Sequence, residues 1–256
     1  MSRPSPPPQR AVALVTGGSR GIGAATALLL AQRGDAVAVN YARDGSAAQQ
    51  VVRRIQAAGG TALAVQADVG DEAQVLAMFA RIDAELGPLT ALVNNAGVVD
   101  VAQRVDEMSV ARWERLLRIN VIGTLLCARE AVKRMSTRHG GPGGAIVNVS
   151  SVAATLGSPG IYVDYAASKG AVDTFTIGLA REVAGEGVRV NAVRPGIIDT
   201  EIHASGGMAA RVQQIAPQLP MGRAGTADEV AHAIVWLLSA EASYTTGAIL
   251  DVGGGR

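Results

Sequence analysis

The sequence predicts a single-domain α/β protein built on a doubly wound, seven-stranded parallel sheet with helices on both faces. Short apolar runs alternate with longer segments of helical periodicity, which is typical of parallel strands buried on both faces. The length of 256 residues suits one such domain, and no internal repeat or interdomain linker breaks the alternation. We therefore expect every predicted strand to lie in one sheet.

The predicted elements follow one another along the chain, and glycine or proline marks most of their ends. Apolar runs predict strands at 11–16, 36–40, 61–66, 89–94, 145–149, 188–192 and 248–252. Helical patterns lie between them at 22–33, 46–58, 71–86, 110–135, 165–184 and 227–239. The helices at 110–135 and 165–184 are apolar or small over much of their circumference, which predicts contact with another subunit.

Two segments stand outside this alternation. Residues 1–10 are rich in proline, so we expect a disordered tail without a catalytic role, and the folded domain then covers 11–256. The segment 201–225 contains Gly206-Gly207, Pro217 and Pro220 and a short, weak helical pattern. We expect it to form a lid that closes over a ligand.

Composition excludes several classes of partner. The net charge is +1 and no block of like charge is present, which argues against nucleic acid as a partner. No apolar run approaches the roughly 20 residues of a membrane span, and residues 1–10 lack the apolar stretch of a signal peptide. Cys127 is the only cysteine, so no intrachain disulfide is possible, and we expect a reducing, cytoplasmic location. No metal site is predicted.

A glycine-rich turn joins the first predicted strand to the first helix. Its spacing is Gly-x-x-x-Gly-x-Gly, and glycines there permit a tight turn and let a pyrophosphate approach the backbone. The helix that follows supplies free amide groups and the positive end of its dipole. We expect a dinucleotide to contact Gly17, Ser19, Arg20, Gly21, Ile22 and Gly23.

The end of the second strand predicts which dinucleotide binds. An NAD site usually carries an acidic residue here, but this chain has the neutral Asn40 and Tyr41, with Arg43 close behind. Arg20, in the glycine-rich turn, points a second cation at the same region. Two guanidinium groups suit the 2′-phosphate of NADP(H), which accepts forked hydrogen bonds. The alternative is that both arginines only face water.

Three more strand ends carry candidate cofactor contacts. Asp68 and Val69 follow the third strand, where they suit the adenine edge. The fourth strand ends in a polar turn, and the sixth leads through hydroxyl and backbone groups that could meet a nicotinamide carboxamide. From these two ends we expect contacts by Asn94, Ala96, Gly97, Pro195, Gly196, Ile198 and Thr200.

The most informative catalytic pattern is Tyr165 with Lys169 four residues later, because i and i+4 share one face of a helix. A nearby ammonium favours the phenolate, so we expect a lowered pKa for Tyr165 and proton exchange with a carbonyl or an alcohol. Ser151, at the end of an apolar strand, could hold the same oxygen. Asn120 interrupts an apolar helix and is either a structural polar contact or a water anchor.

Taken in order and spacing, these sites resemble the short-chain dehydrogenase/reductase family, a group with the Rossmann fold. The resemblance covers roughly residues 10–254 and includes the final strand with its Gly253-Gly254 ending. It implies that Tyr165 is the general acid or base, that Lys169 holds the nicotinamide ribose and lowers the tyrosine pKa, and that Ser151 polarises the substrate oxygen. It also implies that Asn120 anchors a water that relays protons, and that subunits pair as a homotetramer or, as second choice, a dimer.

Two local ambiguities are settled by the family pattern. It takes the second of the adjacent serines, Ser151 rather than Ser150, and Tyr162 lacks a lysine four residues later. The interval of fourteen from Ser151 to Tyr165 is one longer than the commonest family spacing, which predicts a small bulge between them.

Within the family, the sequence most resembles NADPH-dependent 3-oxoacyl-(acyl-carrier-protein) reductases and glucose-dehydrogenase-like members. The resemblance therefore implies a small carbonyl or alcohol substrate, which is a 3-oxoacyl thioester or, as an alternative, a sugar. An acyl carrier protein as partner would need a basic patch near the active site, for which Arg134, Arg138 and Arg181 are candidates, although ordinary solvated charges are an equal interpretation.

Two functions of other classes remain open. The turn Gly17-Gly18-Ser19-Arg20-Gly21 also satisfies the Gly-x-Ser-x-Gly pattern of a serine hydrolase, with Asp199 and His203 or His232 later in the chain. That function leaves the Tyr165 group without a role. A non-catalytic NADP-binding sensor is the second alternative, and the complete catalytic set disfavours it.

Overall fold

The computed structural model describes residues 10–200 and 211–256. This part of the chain forms one seven-stranded, all-parallel sheet, as predicted. The strands are β1 Val12–Val15, β2 Ala36–Tyr41, β3 Thr61–Gln66, β4 Ala91–Asn94, β5 Gly144–Val149, β6 Val188–Pro195 and β7 Ile249–Val252. The predicted tail at 1–10 falls, except for Arg10, outside the described residues.

Helices connect the strands. The α-helices are α1 Gly21–Gln32, α2 Gly45–Ala57, α3 Glu72–Glu85, α4 Val110–Leu117, α5 Gly123–Met135, α6 Ala153–Leu156, α7 Val163–Val183, α8 Arg211–Ile215 and α9 Ala227–Leu238. Short 3₁₀ turns occupy Val105–Glu107, Thr137–His139, Ala184–Glu186, Ala216–Gln218 and Ala240–Ala242. Among the described helices, none combines the length and apolar character needed to cross a membrane.

The strand order places a crevice at the centre of the sheet. The order is β3-β2-β1-β4-β5-β6-β7, so the chain leaves β1 in one direction and β4 in the other. The helices after β1 and β4 diverge at this point, and ligands of doubly wound sheets bind outside the carboxyl ends of these strands. Both the glycine-rich turn after β1 and the polar turn after β4 open onto this crevice.

Each face of the sheet packs against its own helices, as predicted. Ala13 and Val15 of β1 belong to a core that includes α1, α2 and α9. Val12 and Leu14 of the same strand belong to a second core, formed with α3, α5 and α7. Alternate side chains of one strand thus contact opposite helical layers, which explains why the strands read as continuous apolar runs.

The prediction of one continuous helix over 110–135 was incomplete. The structure has α4 and α5 joined by a π-helical turn, Arg118–Ile122. Asn120 lies within that turn and is fully buried. One wide turn rotates the following residues about the helix axis, and such turns are often found at functional sites. Helical periodicity alone does not show an insertion of this kind.

The predicted lid is described in part. Its residues 201–210 lie outside the described residues. The remainder contains α8 and the turn Ala216–Gln218, which agrees with the predicted short helix. A parallel β-bridge between Ile198 and Gly225 joins the segment that follows β6 to the segment that precedes α9.

Candidate active site

Two adjacent serines at the end of β5 have different surroundings. The Ser150 side chain is buried, and its hydroxyl donates to the backbone carbonyl of Lys169 at 3.2 Å, which ties β5 to α7. The Ser151 hydroxyl accepts from the amide of Ala153 at 3.1 Å and forms a hydrogen bond with the phenol of Tyr165. Ser151 is therefore the one of the two serines that contacts the tyrosine.

The first two turns of α7 bring Tyr165 and Lys169 to the same pocket. The ammonium nitrogen of Lys169 lies 5.6 Å from the centre of the Tyr165 ring. It donates to the carbonyl of Val149, at the end of β5, at 2.7 Å. Lys169 is only 4% exposed, so this lysine is a buried cation with one backbone acceptor and an aromatic neighbour.

The lowered pKa expected for Tyr165 is not found in the arrangement of the protein groups. Burial of the phenol raises its pKa to about 12, and the hydrogen bond from Ser151 opposes that shift. Burial also lowers the pKa of Lys169 to about 8, against the attraction of Asp173. Desolvation penalises both charged forms and is the largest cause of each shift. Tyr165 is therefore protonated at neutral pH, the form that a general acid requires.

Asn120 bridges the β4 turn and α7. Its side-chain oxygen accepts from the amide of Val98 at 2.8 Å, and its amide nitrogen donates to the Val98 carbonyl at 3.0 Å and to the Ser168 hydroxyl at 3.1 Å. These bonds use its side chain as a structural contact. A methyl group on Gly97 would lie 3.5 Å from both Asn120 and the Lys169 nitrogen, so the three residues converge.

A buried ion pair supports the start of α7. The Arg112 guanidinium, on α4, contacts both oxygens of Asp164 at 2.6 and 3.2 Å, and both side chains are about 5% exposed. The same guanidinium donates to the Val101 carbonyl at 2.6 Å and to Gln103 at 2.8 Å. Asp164 directly precedes Tyr165 and accepts its backbone amide at 2.9 Å. Sequence analysis missed this pair because its members are 52 residues apart.

The glycine-rich turn is shaped by close backbone packing. A methyl group on Gly23 would lie 2.5 Å from the Asn95 side chain and closer still to the Gly17 carbonyl. A methyl on Gly17, which has a φ of 60°, would lie 3.0 Å from the backbone of Ala96. Glycine at both positions lets the β1 and β4 turns contact each other. The amino end of α1 therefore opens directly into the crevice, which fits a pyrophosphate.

Asn95 is a site residue that the sequence analysis did not select. Its side-chain nitrogen donates to the carbonyls of Thr16 and Gly17 at 2.9 and 3.0 Å, and it lines the pocket. The Thr16 hydroxyl accepts the backbone amides of Asn95 and Ala96, both at 3.0 Å. These bonds fix one turn against the other. The polar pair Asn94-Asn95 at the end of β4 indicated this position, but the sequence analysis selected only Asn94 as a cofactor contact.

Four predicted cofactor residues have side chains committed elsewhere in the described structure. Asn40 is buried, accepts from the amide of Gly17 at 3.2 Å and donates to two carbonyls near the end of β3. Asn94 donates to the buried Asn148 at 2.9 Å. Val69 packs into the core, and Asp68 accepts the amide of Gly70 at 2.9 Å. Asn40 and Asn94 thus support the two turns from within.

The arginines predicted for cofactor choice lie where neighbouring strands end. β1 and β2 pair in register up to Val15 and Val39, so the turns after them are adjacent. Arg20 and Arg43 are both exposed. Asp44 lies beside them and caps α2 by accepting the Ala47 amide at 3.0 Å. That bond lowers the Asp44 pKa, and the positive charge of Arg20 contributes to the same shift.

One pocket unites the predicted catalytic residues with part of the predicted cofactor site. Its walls include Ser151, Tyr165 and Lys169. The predicted cofactor residues that line it are Ile22, Gly97, Pro195, Gly196, Ile198 and Thr200. Tyr162 also lines it, with its ring edge-on to that of Tyr165 at 6.5 Å. Between Ser151 and Tyr165 the chain forms α6 and then a turn in which Ser158 has a φ of 47°, where a bulge was expected.

The basic residues considered for a carrier protein lie at the opposite end of the sheet from the pocket, near the amino ends of the strands. Arg134 ends α5, shortly before β5 begins, and it pairs with Asp83 and Glu130. Arg138 follows it, and Arg181 lies in the last turn of α7 before β6. The pocket lies at the carboxyl ends of the strands, so these three arginines do not border it.

The serine hydrolase pattern is not assembled among the described residues. Ser19 lies on the glycine-rich turn, and in the described part of the chain it has no recorded hydrogen bond to Asp199 or His232. His232 is exposed on α9, where its ring contacts the Asp228 carbonyl at 2.7 Å. His203 lies outside the described residues.

Comparison with known proteins identifies the family. A family model described as enoyl-(acyl carrier protein) reductase matches residues 17–256. The uncharacterized oxidoreductase YgfF of Escherichia coli (strain K12) is 61% identical over 96% of this chain and 100% of its own length. The cis-4-hydroxycyclohexanecarboxylate dehydrogenase of Sinomonas cyclohexanicum is 43% identical over 95% of each chain. The crystal structure of a short-chain type dehydrogenase/reductase from Mycobacterium marinum matches with a TM-score of 0.89 and 35% identity, covering 96% of this chain and 94% of that one.

The two groups that the sequence resembles are also found among the relatives. Glucose 1-dehydrogenase 2 of Bacillus subtilis (strain 168) is 39% identical over 95% of this chain and 93% of its own. A 3-oxoacyl-(acyl-carrier-protein) reductase of Staphylococcus aureus (strain N315) is 38% identical over 95% and 96%. The predicted resemblance is confirmed, and this chain is an oxidoreductase that belongs to the short-chain dehydrogenase/reductase family, whose members use a nicotinamide cofactor.

Proposed function

We propose that this protein transfers a hydride between NADP(H) and a carbonyl or alcohol substrate, with Tyr165 as the group that exchanges a proton with the substrate oxygen. The observation that carries this proposal is the phenol of Tyr165, hydrogen-bonded to Ser151 and beside the buried Lys169 in one pocket. A neutral phenol and a neutral hydroxyl converge there, so a carbonyl oxygen that enters the pocket meets two donors.

The protein groups divide the chemistry between them. When bound, the nicotinamide ring supplies the hydride for reduction or accepts it in oxidation. Tyr165 donates its proton to the oxygen that gains negative charge, and in oxidation its phenolate takes the proton back. Ser151 polarises the same oxygen. Lys169, held through Val149, donates to the ribose hydroxyls and places positive charge beside the phenol.

The pocket and the turns beside it would hold the cofactor along its length. The amino end of α1, reached through the Gly17–Gly23 turn, suits the pyrophosphate, because the first amide groups of a helix have no acceptor within that helix. The strand end from Pro195 to Thr200 suits the carboxamide. Asn40 and Asn94 support these turns from inside, which gives them positioning roles in the proposal.

NADP(H) is the preferred cofactor in this proposal. Arg20 and Arg43 are exposed at the neighbouring ends of β1 and β2, where the 2′-phosphate of the adenosine would lie. Asp44 is an acidic side chain beside this pair, and the charge of Arg20 helps to lower its pKa. Its carboxylate caps α2, so it is oriented toward the Ala47 amide rather than toward a ribose.

A substrate survey tests the proposal. NADPH and NADH oxidation would be followed against 3-oxoacyl thioesters, sugar lactones, cyclic ketones and small ketones, with the matching alcohols in the reverse direction. We expect turnover of at least one class and a preference for NADPH. Ester hydrolysis without nucleotide would favour the Ser19 hydrolase instead, and tight NADPH binding without turnover of any carbonyl would favour the sensor.

The names of the relatives suggest three substrate classes: a 3-oxoacyl thioester, a sugar and a cyclic hydroxy acid. The proposal of an acyl carrier protein as partner has less support than that of a small substrate, because Arg134, Arg138 and Arg181 lie near the amino ends of the strands, away from the pocket. If it docks, it uses a different surface. The survey therefore includes free thioesters alongside carrier-bound ones, and equal rates for both would exclude the carrier as a specificity element.

We also propose a homotetramer in a cytoplasmic location. Around the π-helical turn, α4 and α5 expose apolar side chains of which Leu117, Ile122 and Leu125 are 43%, 50% and 37% exposed. A second subunit would cover these side chains. Light scattering should give four chain masses; two chain masses would favour the second choice, a dimer, and a monomer at micromolar concentration would contradict both. The buried Cys127 suits a reducing compartment.

A further inference from the structure

The segment after β7 returns to the pocket. Gly254 and Gly255 have φ values of 64° and 88°, in the left-handed region that favours glycine. They reverse the chain, and the backbone amide of Arg256 donates to the Gly253 carbonyl at 3.3 Å. Gly253 itself packs on Gly196, since a methyl on Gly196 would lie 2.7 Å from its Cα. This turn places Arg256 in the pocket wall, with Ser151 and Tyr165.

Two cationic side chains line the described part of the pocket wall. Lys169 and Arg256 are its ionisable cations, and no aspartate or glutamate lines it there. Lys169 is buried beside the phenol, whereas Arg256 is exposed and so lies on the solvent side. In the described part of the chain, the Arg256 guanidinium has no recorded ion pair or hydrogen bond. By contrast, the nearby Arg194 and Arg223 are paired with Asp173 and Glu229.

Apolar residues fill the wall between these polar ends. Val99, Val152, Leu156 and Ile197 line the same pocket. A molecule that places an oxygen at Ser151 and Tyr165 therefore lies against apolar side chains of the same wall that includes Arg256. Guanidinium groups bind carboxylates through two parallel hydrogen bonds, a geometry that a lysine does not provide.

We propose that Arg256 binds a carboxylate of the substrate, so that the preferred substrates are keto acids and hydroxy acids with an apolar carbon skeleton between the two groups. The proposal rests on the proposed function and names its substrate class. Arg256 acts on specificity and not on the proton transfer. Because the guanidinium is exposed and solvated, we expect a contribution of about tenfold in kcat/KM, which increased ionic strength should reduce.

The test compares each keto acid with its primary amide, in a linear and a cyclic series, using NADPH. The amide keeps the shape and removes the charge. The ratio of kcat/KM for acid over amide should be about ten in the parent protein and should approach one in Arg256→Gln. Arg256→Glu should lower the ratio further. Arg54→Gln, an exposed arginine on α2 outside the pocket wall, should leave the ratio unchanged.

The outcomes separate this inference from the proposed function. A parent protein that favours the amides, or an unchanged ratio in Arg256→Gln, would overturn the carboxylate site while carbonyl reduction stands. If no carbonyl compound is turned over, titration of the hydroxy acids onto the protein with NADPH decides. Weaker binding in Arg256→Gln would then support the site although the proposed reaction fails, and equal binding in the two proteins would overturn it.

Discussion

The two halves of the crevice are built from different parts of the chain. Around the nucleotide turn, the backbone makes the surface: Gly17 and Gly23 allow two turns to touch, and the arginines there extend into solvent. Around the catalytic group, buried side chains make the surface, and Lys169 and Asn120 are held by hydrogen bonds at 2.7–3.1 Å. The first half presents backbone and exposed charges to a ligand, whereas the second holds Lys169 and Asn120 by hydrogen bonds of buried side chains.

This difference predicts where each half is vulnerable. In the nucleotide half, added volume should be harmful and loss of an exposed charge should be mild, because water replaces the lost partner. In the catalytic half, loss of a buried partner should be severe, since it leaves a polar or charged group desolvated.

The largest expected effect is on the buried ion pair behind the catalytic half. Arg112→Ala should lower the free energy of unfolding by about 3–5 kcal/mol, because Asp164 remains as a buried, unpaired carboxylate. Denaturant unfolding measures this loss. Arg104→Ala is the matched control, since its ion pair with Asp106 is more than 60% exposed on both sides and should contribute less than about 1 kcal/mol. Equal losses in the two variants would contradict the claim that burial makes the Arg112–Asp164 pair the more costly one to break.

A smaller effect is expected from added volume in the nucleotide half. In Gly23→Ala the new methyl meets Asn95 at 2.5 Å, so the two turns must separate. Overpacking of this kind costs about 1–3 kcal/mol, and we expect NADPH affinity to fall at least about tenfold. Fluorescence titration of NADPH measures it. Gly185→Ala, where a methyl meets nothing within 4 Å, is the control; a similar loss there would point to general destabilisation.

The smallest expected effect concerns an exposed charge. Arg43→Ala should remove much of an NADPH preference over NADH of at least about tenfold, or about 1.4 kcal/mol, while NADH affinity stays the same. Arg53→Ala, exposed on α2, serves as the control. Equal affinity for both cofactors in the parent protein would contradict the assignment of NADP(H).

Local patterns allowed much of this structure to be predicted. The strands were found from apolar runs, and 61–66 matches β3 at both ends. The glycine-rich turn and the Tyr165–Lys169 pair are short patterns whose spacing carries their geometry. Both lie in the predicted setting, at the end of β1 and on α7. Contiguous signals of this kind survive folding because neighbours in sequence stay neighbours in space.

Contacts between distant segments were not predictable in the same way. Nothing near Arg112 or Asp164 in the sequence indicates that the two residues pair. Likewise, the side-chain hydrogen bonds from Asn94 to Asn148 and from Asn148 to Thr176 connect three separate elements, β4, β5 and α7. The π-helical turn at Arg118–Ile122 was also missed, because the apolar periodicity of 110–135 does not show where a helix widens. The direction of the Tyr165 pKa was wrong for a related reason, since burial depends on everything packed around the phenol.

The catalytic assignment is tested most directly by separating cofactor binding from turnover in two tyrosine variants. Tyr165→Phe keeps the ring and removes the hydroxyl, so turnover of the best carbonyl substrate should fall by about 10²–10⁴-fold. NADPH affinity, titrated on the same samples, should barely change. Tyr162→Phe, whose ring lies beside Tyr165 in the same pocket, should keep most of the activity. An active Tyr165→Phe together with an inactive Tyr162→Phe would contradict the proposed mechanism.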